Sequence, residues 1–399
     1  MKTYHLPVLI QALQWVFGKG MQADKAIEQL FKTYELTSFD RKMLHENFYD
    51  IIRWWRLLVE ANSGNASLQD DNLARIIGIN LVRKERNLPH HPALRKINPR
   101  TVAARLEKIS AAPAVRHSLS EWMEERCSSE ITEGWDALAA SLNDPAPLAV
   151  RINTLKASKE DIMAFFEETE VNPAPSAIAH DGLVLGEFVN VYRTPVFRDG
   201  WIEVQDEGSQ YVSEFMDVKP GMRVVDACAG AGGKTLHLAA LMKNKGKVVA
   251  LDIFPKKLEE LKRRAKRAGA ENIEIRLIES SKTVKRMKDT ADRVLIDAPC
   301  SGLGVLRRNP DIKWRLSPEE LEKLIPEQRQ LLKQFSALVK PGGKLVYATC
   351  SILPSENEKQ VEHFLSEHPE FSLEKETWLL PGKDGCDGFY MARLVRKPV

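Results

Sequence analysis

Cys300 stands in Asp297-Ala298-Pro299-Cys300-Ser301-Gly302 and Cys350 in Ala348-Thr349-Cys350-Ser351, and these two thiols are the residues best suited to do chemistry. Each follows a short apolar run, Val294-Leu295-Ile296 or Leu345-Val346-Tyr347, closed by small residues or proline. Runs of this kind read as buried strands of a parallel sheet. Ligands of such sheets collect outside the carboxyl ends of the strands, so both sulfurs are expected at one crevice. A thiolate there is a nucleophile, and the pair reads as a thiol active site beside a cofactor pocket. A buried free cysteine is also simply a small hydrophobe, which is the competing reading of each. Polar and turn residues flank both and favour chemistry.

The cofactor pocket is expected one strand earlier. Val224-Val225-Asp226 runs into Ala227-Cys228-Ala229-Gly230-Ala231-Gly232-Gly233-Lys234-Thr235 and then into a helical segment. Glycines fall where the backbone must turn tightly and approach a ligand, since a Cβ would fill that space. Free amides at the helix start suit a carboxylate or phosphate. Asp252 closes the apolar run 247–251, the position from which an acid accepts hydrogen bonds from ribose hydroxyls. Together they point to a nucleoside-bearing cofactor held by Cys228, Ala229, Gly230, Ala231, Gly232, Gly233, Lys234 and Asp252. Two other classes compete. A P-loop-like NTPase shares the Gly-Lys-Thr end, but Cys228 stands where its first glycine belongs and it has no use for paired thiols. A dehydrogenase needs Gly-x-Gly-x-x-Gly, which the loop does not spell.

The elements that must position these groups follow from periodicity. Residues 1–140 read as a helical bundle, with Leu44, Phe48, Ile51, Ile52, Trp55 and Leu58 spaced three or four apart and breaks at Gly18–Gly20, Asn62–Asn65, Pro89–Pro92 and Pro113. Residues 141–205 read as a small α/β module. From 206 to 399, strands alternate with helices, the signature of a mostly parallel, doubly wound α/β sheet. The last strand recognised is Lys344–Ala348. The helical run Lys256–Arg267 reads as an exposed basic face. The segment from Arg83 to Arg105 holds seven basic residues against the single acid Glu85, broken by prolines, and suits phosphate contacts or a solvated connector.

Composition narrows the class. The chain has 399 residues, 43% hydrophobic and 28% charged, as expected of a globular protein of two or three domains. Its formal net charge of +3 makes no case for nucleic acid by itself. No apolar stretch is long enough for a membrane span, and a secretory signal is not expected. The five cysteines are odd in number and never spaced Cys-x-x-Cys, against both a disulfide framework and a zinc cluster. The expectation is a cytoplasmic protein with no metal and no membrane partner.

The motifs together resemble the Fmu/Sun, or RsmB-type, family of S-adenosylmethionine-dependent RNA cytosine methyltransferases. The likeness covers Gln205-Asp206-Glu207-Gly208-Ser209, the glycine loop, Asp252, the Cys300 loop, Arg308-Asn309-Pro310-Asp311-Ile312-Lys313-Trp314, Thr349-Cys350-Ser351 with Glu356-Asn357-Glu358, and Asp387-Gly388-Phe389-Tyr390-Met391-Ala392-Arg393. The resemblance implies a Rossmann-like class I methyltransferase domain behind a NusB-like helical RNA-binding domain, marked by Phe39-Asp40-Arg41 and Ile52-Arg53-Trp54, and a small RRM-like module. It implies S-adenosylmethionine as cofactor, and RNA, most of all small-subunit rRNA, as the partner of a monomeric enzyme. A tRNA substrate, or a non-catalytic RNA-binding assembly protein, are the alternatives.

By the same resemblance Cys350 attacks carbon 6 of cytosine, Cys300 assists product release, and Asp297 protonates or hydrogen-bonds ring nitrogen 3 and also belongs to the cofactor site. In DNA cytosine methyltransferases the Pro-Cys thiol attacks instead, which would reverse the two cysteines. The chain departs from the family in two places. Gly230-Ala231 replaces the usual Ala-Pro, and Glu279 stands where an aspartate near the adenine is usual. Arg307, Arg308, Lys313 and Arg315, just after the Cys300 loop, are expected to reach the RNA backbone.

Overall fold

A computed structural model describes residues 1–169, 171–186 and 189–398. The chain divides into two compact units, Met1–Asp144 with Leu306–Pro318, and Pro145–Val305 with Glu319–Val399.

The first unit is helical. Helices His5–Lys19, Ala23–Thr33, Ser38–Arg53, Trp55–Ala61 and Asp70–Arg83 bury Leu6, Leu9, Leu13, Leu30, Leu44, Phe48, Ile51, Leu58, Ile76 and Ile77 in one core. Gly20, at φ 64°, ends the first helix in the left-handed conformation that glycine adopts without strain. A reciprocal Thr37–Asp40 capping box starts the third.

Segment 306–318 belongs to this unit, and of its four cations expected to contact phosphate Arg307 and Lys313 are buried, which removes those two from that role, while Arg315 is exposed. Lys313 is buried, and its Nζ donates to the carbonyls of Arg53 and His117, both at 3.2 Å, and to Asn143 Oδ1 at 2.6 Å. An ammonium has three donors, and all three are used. Arg307 is buried as well, with Nε on the Asp144 carbonyl at 3.3 Å. Arg315 pairs with Asp311 at 2.8 Å, and Trp314 Nε1 donates to the Ile52 carbonyl at 2.7 Å. The Arg308-to-Trp314 motif is therefore largely internal packing: its spacing shows the charges but not the carbonyls they meet.

The second unit holds two sheets. Strands β1 (Leu148–Ile152), β2 (Pro173–Pro175), β3 (Gly182–Leu185) and β4 (Ile202–Val204) form an antiparallel sheet in the order β2-β3-β1-β4. Helix Lys159–Glu168 buries Ile162 and Phe166 in the module's core with Val150, Ile152 and Leu183.

The larger sheet contains β5 (Arg223–Asp226), β6 (Lys247–Asp252), β7 (Ile273–Leu277), β8 (Ala291–Asp297), β9 (Val339–Thr349), β10 (Phe371–Leu379) and β11 (Phe389–Arg396), in the order β10-β11-β9-β8-β5-β6-β7. Strands β9-β8-β5-β6-β7 are parallel, as the apolar runs predict. The antiparallel pair β10 and β11 was not legible as strand: β10 is mostly exposed and polar along Ser372–Glu376, so it lacks the buried-strand pattern. Chain order moves outward from β5 to β7 and restarts on the other side at β8. The loops after β5 and β8 therefore open on one crevice, the topological switch point of this sheet type.

Candidate active site at the switch point

Cys300 follows the end of β8 and Cys350 the end of β9, and their Sγ atoms stand 3.4 Å apart. The convergence expected from the two apolar runs is present, and both side chains are half-buried. Close backbone approach makes this possible. Gly304 N donates to the Cys350 carbonyl at 2.9 Å, and Gly388 N to the Gly304 carbonyl at 2.8 Å. A Cβ on Gly304 would lie 2.1 Å from the Gly388 carbonyl oxygen, so only glycine fits.

The thiols have different electrostatic neighbours. The hydrogen bond with Cys350, then burial, and then the charges of Cys350 and Glu356 push the Cys300 thiol well above its ordinary range. Lys234 Nζ lies 2.7 Å from Asp297 Oδ2. Burial pulls Lys234 down, but Asp297, by charge and hydrogen bond, and the Cys350 sulfur leave its pKa raised. Lys234 and Glu356 are thus the charged groups that act on the thiol pair. Lys234, expected from the loop spacing to help cradle the cofactor, pairs with Asp297.

Two loop segments bring these groups together through residues whose role the sequence reading left unassigned. Glu356 is wholly buried, and its carboxylate accepts from Ser301 N at 2.8 Å, Ser301 Oγ at 2.5 Å, Gln328 Nε2 at 3.0 Å and Ser351 Oγ. Asn357 Nδ2 donates to the Ser351 carbonyl at 3.0 Å, and Thr349 Oγ1 donates to Asn357 Oδ1. Gln328 lies in helix Pro318–Ser336, and nothing in its local sequence marks it for this duty.

The glycine loop turns as its composition predicts. Gly230 and Gly232 have φ of 54° and 89°, and a Cβ on Gly232 would meet Leu261 Cγ at 2.6 Å. Cys228 is half-buried, its thiol pushed up by burial and then by the charge of Asp226. Ala229 N is held by the Leu251 carbonyl at 2.9 Å, which ties the loop to β6, and the Ala231 carbonyl accepts from Arg264 Nη1 at 2.9 Å. The helix Gly233–Leu241 starts on this loop with its amino-terminal N–H groups.

Asp252 sits at the end of β6, and its two carboxylate oxygens accept Gly230 N and Phe254 N, each at 2.8 Å. It therefore shapes the loop, and each oxygen keeps a second lone pair for a hydroxyl. Glu279 is exposed just beyond β7. Beside Asp252, Ile253 and Phe254 are 57% and 51% exposed, apolar surface of the kind an adenine ring covers. A glycine cradle, a helix start, an acid and an apolar platform match the donor set of a nucleoside-bearing ligand, so the residues present fit S-adenosylmethionine. Among the described residues there is no group of three or more His, Cys, Asp or Glu that could hold a metal ion, and no helix long and apolar enough to cross a membrane.

Comparison with known proteins gives consistent matches. A family model described as 16S rRNA methyltransferase RsmB/F matches residues 214–395, and a ferredoxin-like domain of the RsmF/B-like methyltransferases matches residues 119–192. The chain is 30% identical over 430 residues to the probable ribosomal RNA small subunit methyltransferase B of Synechocystis, covering 94% of this chain and 95% of that protein. It is 33% identical to the ribosomal RNA small subunit methyltransferase B of Pseudomonas putida over 71% of this chain and 68% of that one. Among solved structures, the protein PH0851 aligns with a TM-score of 0.83 at 28% identity over 98% of both chains. A methyltransferase homolog from Pyrococcus horikoshii aligns with a TM-score of 0.64 at 27% identity, over 71% of this chain and 97% of that one.

Proposed function

The chain belongs to the RsmB/F family of S-adenosylmethionine-dependent methyltransferases, and from that premise we propose that it methylates carbon 5 of a cytosine in small-subunit (16S) rRNA through a transient Cys350–pyrimidine bond. The observation that carries this reading is the pair of sulfurs 3.4 Å apart at the switch point with the Lys234–Asp297 pair beside them.

When bound, S-adenosylmethionine supplies an electrophilic methyl group on a sulfonium. Carbon 5 of cytosine is too weak a nucleophile for it until a thiolate has added to carbon 6. Cys350, which follows β9 and lies within the crevice, is the sulfur that makes that addition in this reading. In its protonated form Asp297 donates to ring nitrogen 3 as charge builds on the ring, and Lys234, 2.7 Å away, holds its carboxyl group in position. Loss of the carbon-5 proton and cleavage of the carbon–sulfur bond then return Cys350 as a thiolate. The surroundings of Cys300 favour its thiol form, and at 3.4 Å it is within reach to donate its proton to that leaving sulfur. Position matters more than acidity. Lowering a thiol pKa from about 8.5 to about 7 gains under about 2 kcal/mol, whereas fixed near-attack geometry supplies on the order of 7 to 11.

Separate replacement of the thiols tests the assignment. Cys350→Ala is expected to abolish methyl transfer and adduct formation, and Cys300→Ala to accumulate a covalent protein–RNA adduct that survives denaturing electrophoresis. An adduct seen with Cys350→Ala and absent with Cys300→Ala reverses the roles. Bisulfite mapping of total RNA from cells with and without the gene tests the substrate: one small-subunit rRNA cytosine should lose its mark, and loss at a tRNA cytosine would move the substrate there.

A further inference from the structure

We infer that Glu356 is a positioning residue that sets the spacing of the two thiols, acting through the serine that follows each of them; the inference rests on the reading of both cysteines as reacting groups. Ser301 and Ser351 are the immediate neighbours of Cys300 and Cys350, and their hydroxyls meet at 3.1 Å on Glu356 Oε2. Oε1 accepts Ser301 N at 2.8 Å and Gln328 Nε2 at 3.0 Å. Four donors therefore fill the four acceptor positions of one carboxylate.

Gln328 Nε2 also donates to the Pro299 carbonyl at 3.0 Å, so the backbone is held on both sides of Cys300. The carboxylate has its own anchor on β9, because Tyr347 Oη donates to the Glu356 carbonyl at 2.7 Å. Burying an ionised carboxylate is costly unless its hydrogen bonds are complete. An apolar side chain would fill this volume at less cost, but it could not grip two loops at once. The grip fixes the 3.4 Å separation across which Cys300 reaches the Cys350 sulfur.

The test reads thiol spacing without RNA. Diamide takes two electrons and two protons from the thiol pair, joins Cys300 to Cys350 and is itself reduced to the hydrazine. Glu356→Asp keeps the charge but is one methylene shorter, so it cannot reach both serines. Ser351→Ala removes that hydroxyl's bonds to Glu356, Ser301 Oγ and Leu353 N and leaves Ser301 and Gln328 on the carboxylate. Both variants are expected to close the disulfide about tenfold or more slowly than wild type, and to lose about tenfold or more in kcat with KM for RNA and methyl donor within about twofold. Glu356→Gln keeps the length, its oxygen facing Ser301 N and its amide facing two hydroxyls able to accept, and should close within about threefold of wild type.

Wild-type closing rates in Glu356→Asp and Ser351→Ala overturn the inference, as does a fall in kcat with closing unchanged. Should Glu356→Asp fail to fold, Ser351→Ala decides. If wild-type protein methylates no RNA, it is the proposed function that fails, while the closing rates still judge Glu356.

Discussion

Lys234 lies 2.7 Å from Asp297 and 5.6 Å from the centre of the Phe389 ring, within the thiol site. Its place in the glycine loop suggests a cofactor contact, and one of its three donors meets the carboxylate proposed to face the substrate ring. Removing it should therefore damage turnover more than donor binding. Lys234→Met is expected to lower kcat by about a hundredfold, the scale of losing one preorganised electrostatic group, with S-adenosylmethionine affinity by calorimetry within about threefold. Donor affinity lost while kcat persists would restore the cradle role. At this scale the sequence was informative where a residue's own chemistry marks it, as it does for the two cysteines and Asp297. It placed Glu356 in the family motif without a role and gave Gln328 none, because the duty of both lies in which donors and acceptors the fold brings to them.

The helix Gly233–Leu241 links the glycine loop to the small module. Arg151 of β1 is buried and donates through Nη1 to the Gly233 carbonyl at 2.7 Å and Gln205 Oε1 at 2.6 Å. One turn further, His237 is wholly buried, and Asp181 Oδ2 at 3.7 Å from Nε2 is too far for a hydrogen bond. Burial first, and then the Arg151 cation, pull its pKa down to about 4. An unfolded histidine titrates near 6.5, so between these values the unfolded chain binds more protons than the folded one. The stability this neutral histidine allows is complete above about pH 6.5 and is lost as pH falls through about 4. Urea unfolding at pH 7 and pH 5 should show wild type losing about 2 kcal/mol more than His237→Gln. Equal losses in the two proteins would sink this account. Alternation of apolar strands and amphipathic helices made most elements of the large sheet legible, because burial on both faces leaves a strong pattern. The edge strand β10 escaped because it is exposed and polar along Ser372–Glu376, whereas β11 is buried from Phe389 to Ala392 and its apolar run was left unread.

On the scale of the whole molecule, the segment 306–318 departs most from what its sequence suggests. A cluster of Arg and Lys after a catalytic loop reads as a phosphate contact, yet Lys313 is folded into the helical unit, where burial pulls its pKa well below the usual lysine range. Lys313→Met would relieve the buried charge but strand three acceptors. The net expectation is a loss of about 2 kcal/mol in unfolding free energy. The variant's RNA affinity should keep the wild-type salt dependence, whereas a slope reduced by about one would reinstate the phosphate contact. By itself the sequence determined the class of fold, the thiol pair, the glycine loop and Asp252, because local pattern and side-chain chemistry are properties of neighbouring residues. Only the tertiary structure decided that Lys234 serves Asp297, that Glu356 joins the two thiol loops and that Lys313 is internal. Each of these depends on hydrogen-bond partners from 5 to 260 residues away along the chain, and such partners are chosen by packing.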